Sequence, residues 1–228
     1  ELYKVFKVEN KALGVTGYLA AIVYYAMLLL EKTEWMIPLT LLFLILVMAV
    51  YVFTYPTFTA EQVMAVFFGF FYVSVMLSYV YQTRMLAEGA VLVWLIFLSS
   101  WGCDTCAYFV GVLFGKHKMA PKLSPKKSIE GGVGGILGAA LLGALFALAV
   151  NQWAGVTVNP LQYALICGVG GMISQIGDLA ASGIKRNHGI KDYGKLIPGH
   201  GGILDRFDSV IITAPIIYYL SMILGGTL

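Results

Sequence analysis

Seven apolar runs of about 18 residues or more occupy most of the chain, near 12–30, 35–53, 63–81, 90–110, 133–150, 161–182 and 210–227. At about 1.5 Å rise per residue, a helix of that length crosses roughly 30 Å of hydrocarbon. Lipid offers the backbone no hydrogen-bond partner, so a spanning segment must be a helix or part of a closed barrel. No alternation of apolar and polar residues marks barrel strands. The runs therefore predict an all-α, polytopic transmembrane helical bundle of about seven spans. Composition agrees, with 59% of residues hydrophobic and 12% charged, against about 25% charged in an ordinary soluble domain.

What lies between the runs is small. The longest connections, about 111–132 and 183–209, cannot hold a nucleotide-binding βαβ unit, which needs well over about 30 residues. Any chemistry must be built at the membrane surface, within a single integral membrane domain over 1–228. The chain opens on Glu1 without the layout of a signal peptide, and residues upstream of it are expected.

Lys and Arg are divided unequally between the two sides of the bundle. Taking alternate sides from the N-terminus, 13 fall on one side: Lys4, Lys7 and Lys11, then five in 116–127, then five in 185–206. The other side holds 2, Lys32 and Arg84. The basic side is expected to be cytoplasmic. Attraction to lipid headgroups would by itself account for basic loops. No nucleic-acid partner is expected.

Cys103 and Cys106 form a C-x-x-C inside an apolar run, with no second pair or histidine set to complete a zinc site, and are expected to pack. Cys167 stands alone in another run. Gly131, Gly134, Gly135 and Gly138 include pairs four apart, a spacing that suits close approach of two helices.

Acids inside spans carry more information, because an intramembrane carboxylate costs about 2.5–3.5 kcal/mol even on a lenient scale. Asp104 lies late in the fourth run and Asp178 late in the sixth. On a helix, Ser174, Asp178, Ser182 and Lys185 share one face, a polar stripe that fits either a buried Asp–Lys pair or a metal site at the interface. Next, 182–208 packs three Asp, five Lys or Arg and a Gly-rich turn into 27 residues. Asp205 and Asp208 should project from the same side at the start of the last helix, where the dipole favours anions and two hard oxygens could hold Mg²⁺. Gly199, Gly201 and Gly202 would let backbone N–H groups approach phosphate. Upstream, Ser124 followed by Pro125 reads as a helix N-cap, which would set Lys126, Lys127 and Ser128 at an anion-binding helix start.

These residues carry a resemblance. The run from Ser182 to Asp208 is similar throughout to the signature of the phosphatidate cytidylyltransferase (CDP-diacylglycerol synthase) family: S-x-x-K-R, four residues, K-D, then P-x-H-G-G-x-x-D-R-x-D. Asp104-Thr105-x-Ala107-Tyr108, Phe114-Gly115-Lys116 and Ser124-Pro125-Lys126-Lys127-Ser128-x-Glu130-Gly131 also resemble a shared segment of that family, so the likeness covers at least 100–208, with its signature region at 178–208. Members are longer at the N-terminus, and this chain is expected to lack a first helical hairpin. The resemblance implies a multi-pass, homodimeric enzyme of the inner (cytoplasmic) membrane, with a polar cavity facing the cytoplasm, that transfers the CMP moiety of CTP to phosphatidic acid, giving CDP-diacylglycerol and pyrophosphate in phospholipid biosynthesis. It implies Mg²⁺, with or without a second cation, at Asp178 and Asp205 with Asp208 nearby.

On that basis the catalytic candidates are Asp178, Asp205, Asp208, Lys185 and Arg206. The substrate-binding candidates are Asp104, Ser124, Lys126, Lys127, Ser128, Ser182, Arg186, Lys191, Asp192, His200, Gly201 and Gly202. Three other readings stay open. An ion or proton transporter would also place Asp in spans, yet would not concentrate basic residues in two same-side loops. A related transferase could use an ether-lipid or polyprenol phosphate. A structural scaffold gives no reason for Asp178, Asp205 and Asp208.

Overall fold

The computed structural model describes residues 1–153, 155–196 and 201–224. Helix α1 (Leu2–Val5) is followed by α2 (Ala12–Leu29), α3 (Met36–Phe53), α4 (Ala60–Gly69) and α5 (Met76–Arg84), then α6 (Gly89–Phe97) and α7 (Cys103–Phe114). Strands β1 (Lys118–Ala120) and β2 (Ser124–Ser128) lead into α8 (Ile129–Trp153), α9 (Pro160–Asn187) and α10 (Leu204–Leu224). Short π-helical segments, Phe70–Val75 and Leu98–Gly102, join α4 to α5 and α6 to α7. Among the described residues, seven helices are long and apolar enough to cross a membrane, at 12–29, 33–53, 60–84, 89–114, 129–153, 160–187 and 204–224. They coincide with the seven apolar runs, and the protein is a multi-pass, all-α membrane protein.

Two compact units divide the chain, 1–78 with 193–204, and 79–192 with 205–228. The first has an aromatic core. Phe43 lies 4.6 Å from Phe70 between ring centroids, and Tyr24 meets Phe70 edge-on at 5.8 Å. Such pairs add to the burial of large apolar area. Tyr3 closes this core by donating its hydroxyl to the Val66 carbonyl at 2.8 Å, and burial holds its phenol above the usual range. The carboxylate of Glu1 accepts the N–H groups of Ile203 (3.0 Å) and Leu204 (2.7 Å).

In the second unit α7, α8 and α9 pack along their lengths. The α7–α8 contact is as close as the glycine spacing predicts: a Cβ on Gly134 would stand 2.6 Å from Val110, and one on Gly138 2.5 Å from Cys106. Without a hydrophobic driving force between helices in lipid, this close van der Waals contact is what holds them together. Cys103 is buried, and no described cysteine forms a disulfide. Helix α9 begins at Pro160 with Asn159 as its cap, accepting the Leu161 N–H at 2.9 Å. Its 28 residues reach about 42 Å at 1.5 Å each, past the apolar run, so Ser182 and Lys185 ride on the same helix as Asp178.

One local expectation is corrected. Ser124-Pro125 does not cap a helix: it opens β2, which pairs antiparallel with β1 in the register Lys118↔Ser128 and Ala120↔Ser124. A residue before proline is driven to extended backbone, and proline tolerates an edge strand, so the same dipeptide serves a hairpin. The cap is Ser128, whose hydroxyl accepts the Gly131 N–H at 3.1 Å. Glu130 in that first turn ties down the preceding loop by accepting the N–H groups of Lys116 (3.1 Å) and His117 (3.2 Å).

Candidate functional site

A cavity of about 420 Å³ opens within the second unit, where the hairpin lies against α7, α8 and α9. Asp104, Tyr108, Met119, Ser124, Lys126, Lys127, Ser128, Gln175 and Asp178 are among its lining residues. Its volume falls within the range of small-molecule sites, about 300–1,000 Å³.

Local structure aims each of these groups. Asp104 stands in the first turn of α7, directly after the π-helical segment Leu98–Gly102. A π turn changes the phase of a helix by a residue and recurs at functional sites. Side-chain hydroxyls take up carbonyls beside it: Ser100 donates to Ile96 O at 2.7 Å and Thr105 to Trp101 O at 2.8 Å. The hairpin, rather than a helix start, brings Lys126 and Lys127 to the cavity, and Lys127 Nζ is ion-paired with Asp178. The Ser209 side chain acts on Asp104, and the charge of Asp178 acts on both Asp104 and Asp208.

A second cluster lies where α9 meets α10. Lys185 Nζ stands 2.8 Å from Asp205 Oδ1 and 3.7 Å from Asp208 Oδ2, with all three side chains 10% exposed or less. Asp205 and Asp208 do project from one side of α10, as their spacing predicts, and Asp208 also accepts the Ser209 N–H at 2.8 Å. The polar face of α9 thus divides its work: Ser174 is buried against Gly171 O at 2.9 Å, Asp178 turns to the hairpin and Lys185 to α10.

Other expected residues are placed less centrally. Ser182 is half-buried on α9; Arg186, Lys191, Asp192 and Arg206 are exposed. The guanidinium of Arg186 donates to Ile190 O at 3.1 Å, and the Arg206 carbonyl takes the Trp101 indole N–H at 3.2 Å. No described residue of 183–209 is among those lining the cavity. Gly201 adopts φ +85°, a left-handed backbone that suits glycine. A Cβ on Gly202 would stand within 2.6 Å of the Glu1 carboxylate. The anion beside Gly202 is the chain's own Glu1 carboxylate, held by the N–H groups of Ile203 and Leu204. Pro198, Gly199 and His200 lie outside the described residues.

Sequence reasoning missed Gln175, Met119 and Glu1. Gln175 had a usable signal, a polar side chain within an apolar run and one turn before Asp178. Glu1 had none, because nothing local connects it to residues some 200 positions away.

Hard carboxylate oxygens are the donor chemistry that Mg²⁺ takes. Of the expected set, Asp205 and Asp208 stand together at Lys185, and the charge of Asp178 acts on Asp208. Among the described residues no three His, Cys, Asp or Glu side chains converge as a metal-holding group, and ammonium groups neutralise Asp178 and Asp205.

A bundle of apolar, membrane-crossing helices with paired Asp and Lys at and near a cavity of small-molecule size defines the class, a polytopic membrane protein with a polar site. The chain belongs to the cytidylyltransferase family, whose model matches residues 1–224. Among curated relatives, a phosphatidate cytidylyltransferase of Thermotoga maritima is 34% identical over 209 residues, covering 90% of this chain and 75% of the relative. One of Bacillus subtilis is 36% identical over 181 residues, 78% of this chain and 66% of the relative. One of Staphylococcus epidermidis is 43% identical over 149 residues, 65% of this chain. The chain spans 55% of the length of that staphylococcal relative.

Proposed function

We propose that the protein is a phosphatidate cytidylyltransferase, which joins CTP and phosphatidic acid into CDP-diacylglycerol with release of pyrophosphate. Family membership across residues 1–224 carries this reading, and the lysine-lined cavity supports it. A phosphate oxygen of phosphatidic acid attacks the α-phosphorus of CTP in line, and the bond to the β,γ-pyrophosphate breaks. A phosphomonoester is already a nucleophile, so no Ser or Cys has to be activated; positioning and charge neutralisation suffice. Lys126 and Lys127 bind the triphosphate from the hairpin. Lys185 orients Asp205 and Asp208, and Arg186 and Arg206 supply further positive charge for phosphate.

Mg²⁺, alone or with a second cation, would be held by Asp178 and Asp205 with Asp208, and when bound it would neutralise the α-phosphate and the leaving group. The cavity faces the cytoplasm, where CTP is available, and the enzyme acts as a homodimer. The test is incorporation of radiolabelled CTP into lipid by purified protein, with and without Mg²⁺. Phosphatidic acid is set against ether-lipid and polyprenol phosphates as competing acceptors. Labelled CDP-diacylglycerol that disappears on chelation is the expected result. Preference for another lipid phosphate would reassign the acceptor, and ion flux without incorporation would remove the enzyme reading.

A further inference from the structure

Gln175 sits on α9 one turn before Asp178, in the cavity wall, and is 8% exposed. Its Nε2 donates to the Gly132 carbonyl at 2.9 Å and lies 3.4 Å from Cys103 Sγ. A backbone carbonyl can only accept, so the nitrogen end of the amide has to face Gly132, and the oxygen end is thereby fixed. Among the described residues Oε1 has no hydrogen-bond partner. Nor is it one of the sealed unpaired atoms of the bundle, such as Ser99 Oγ and Tyr163 Oη; it opens to the cavity. An acceptor that faces the cavity with no protein donor is free to take a hydrogen bond from a ligand bound there.

The rest of the wall narrows the donor. Lys126 and Lys127 suit the acceptor-only triphosphate, while Asp104 and Asp178 are engaged by Ser209 and Lys127. Oε1 is a neutral acceptor, matched to a neutral N–H or O–H. Tyr108 and Met119 add an aromatic ring and a polarisable thioether to the same wall, surfaces that suit the face of a flat base. On cytosine the neutral donor is the exocyclic amine. Uracil carries a carbonyl there, which would set two acceptors against each other, and such mismatches reject a competing ligand strongly.

Building on the cytidylyltransferase reading, we propose that Gln175 Oε1 accepts a hydrogen bond from the exocyclic amine of cytosine and so selects CTP over UTP.

The experiment measures kcat/KM of the full chain with phosphatidic acid and each of CTP, UTP, a CTP analogue bearing hydrogen in place of the amine, and 2′-deoxy-CTP. The wild type is compared with Gln175→Met and Gln175→Glu. The wild type should lose about tenfold or more with the amine-free analogue and little with 2′-deoxy-CTP. Gln175→Met should lose about tenfold with CTP alone and leave the amine-free analogue unchanged, collapsing the CTP/UTP ratio. Gln175→Glu keeps an acceptor oxygen but loses the donor to the Gly132 carbonyl, so it should use CTP less well than the wild type and still prefer it to UTP. If Gln175→Met does not fold, Gln175→Glu and the wild-type analogue series decide. Equal use of CTP and the amine-free analogue by the wild type overturns the proposal, as does an undiminished CTP/UTP ratio in folded Gln175→Met. Loss with 2′-deoxy-CTP in place of the amine-free analogue would assign the oxygen to the ribose and overturn the cytosine assignment. A wild type that incorporates no nucleotide would sink the cytidylyltransferase reading itself.

Discussion

An ammonium and a carboxylate paired in a cavity wall neutralise each other until a more highly charged partner arrives, and Lys127 and Asp178 stand in that relation. If Lys127 contributes charge to triphosphate binding, Lys127→Met should raise the CTP concentration needed for half-maximal rate well above the effect of Lys32→Met, read from initial rates over a CTP series. Asp178→Asn keeps shape but loses charge. Turnover should fall below about a tenth of wild type at saturating Mg²⁺, since a lost metal ligand removes several kcal/mol of transition-state stabilisation. Retention of more activity than that would argue against a metal at Asp178. Lys185 differs because it is buried between two carboxylates. Removing one partner of a buried pair leaves uncompensated charge, so Lys185→Met should cost about 3–5 kcal/mol of stability. Exposed Arg186→Met should change stability by about 0.5 kcal/mol or less. Thermal unfolding in detergent separates the two, and equal melting temperatures would contradict the buried-pair account.

Among the elements, the β1–β2 hairpin and the α7–α8 contact decide where the cavity walls stand. Ser128 caps α8, so Ser128→Ala should lower stability by about 1 kcal/mol, while Ser124→Ala, in the strand, should cost less. The opposite order would restore the cap that Ser124-Pro125 suggests. Gly138 leaves no room for a side chain beside Cys106. Gly138→Leu should therefore push α7 from α8 and destabilise the protein by about 1–3 kcal/mol. The glycine spacing made this contact legible, because helix geometry maps residues four apart onto one face. The hairpin was not legible: Ser-Pro suits a helix start and an edge strand equally, and pairing with Lys118–Ala120 broke the tie.

For the whole molecule, the unequal split of Lys and Arg predicts its orientation. Single cysteines at Ser124 or Lys191, in a background lacking Cys103, Cys106 and Cys167, should react with an impermeant thiol reagent from the cytoplasmic face alone. Reaction from the outer face would reverse the topology. CTP with Mg²⁺ should slow labelling at Ser124, which lines the cavity, more than at Lys191, which does not.

Span number and helical class could be read directly from the chain, because the length and apolarity of a segment decide membrane crossing with little help from its neighbours. The acids and bases of the site were legible for the related reason that charge inside a span demands a partner. Which partner was beyond the sequence. The stripe of Asp178 and Lys185 on one face of α9 fitted a buried Asp–Lys pair between helices or a metal site. Tertiary packing chose the partners, setting Asp178 against Lys127 of the hairpin and Lys185 against Asp205 and Asp208 of α10. Only the fold turned Gln175 into a wall residue with one end tied to Gly132, and only the fold brought the Glu1 carboxylate to Ile203 and Leu204. Periodicity tells which residues share a face, whereas what that face meets depends on contacts between segments far apart in the chain.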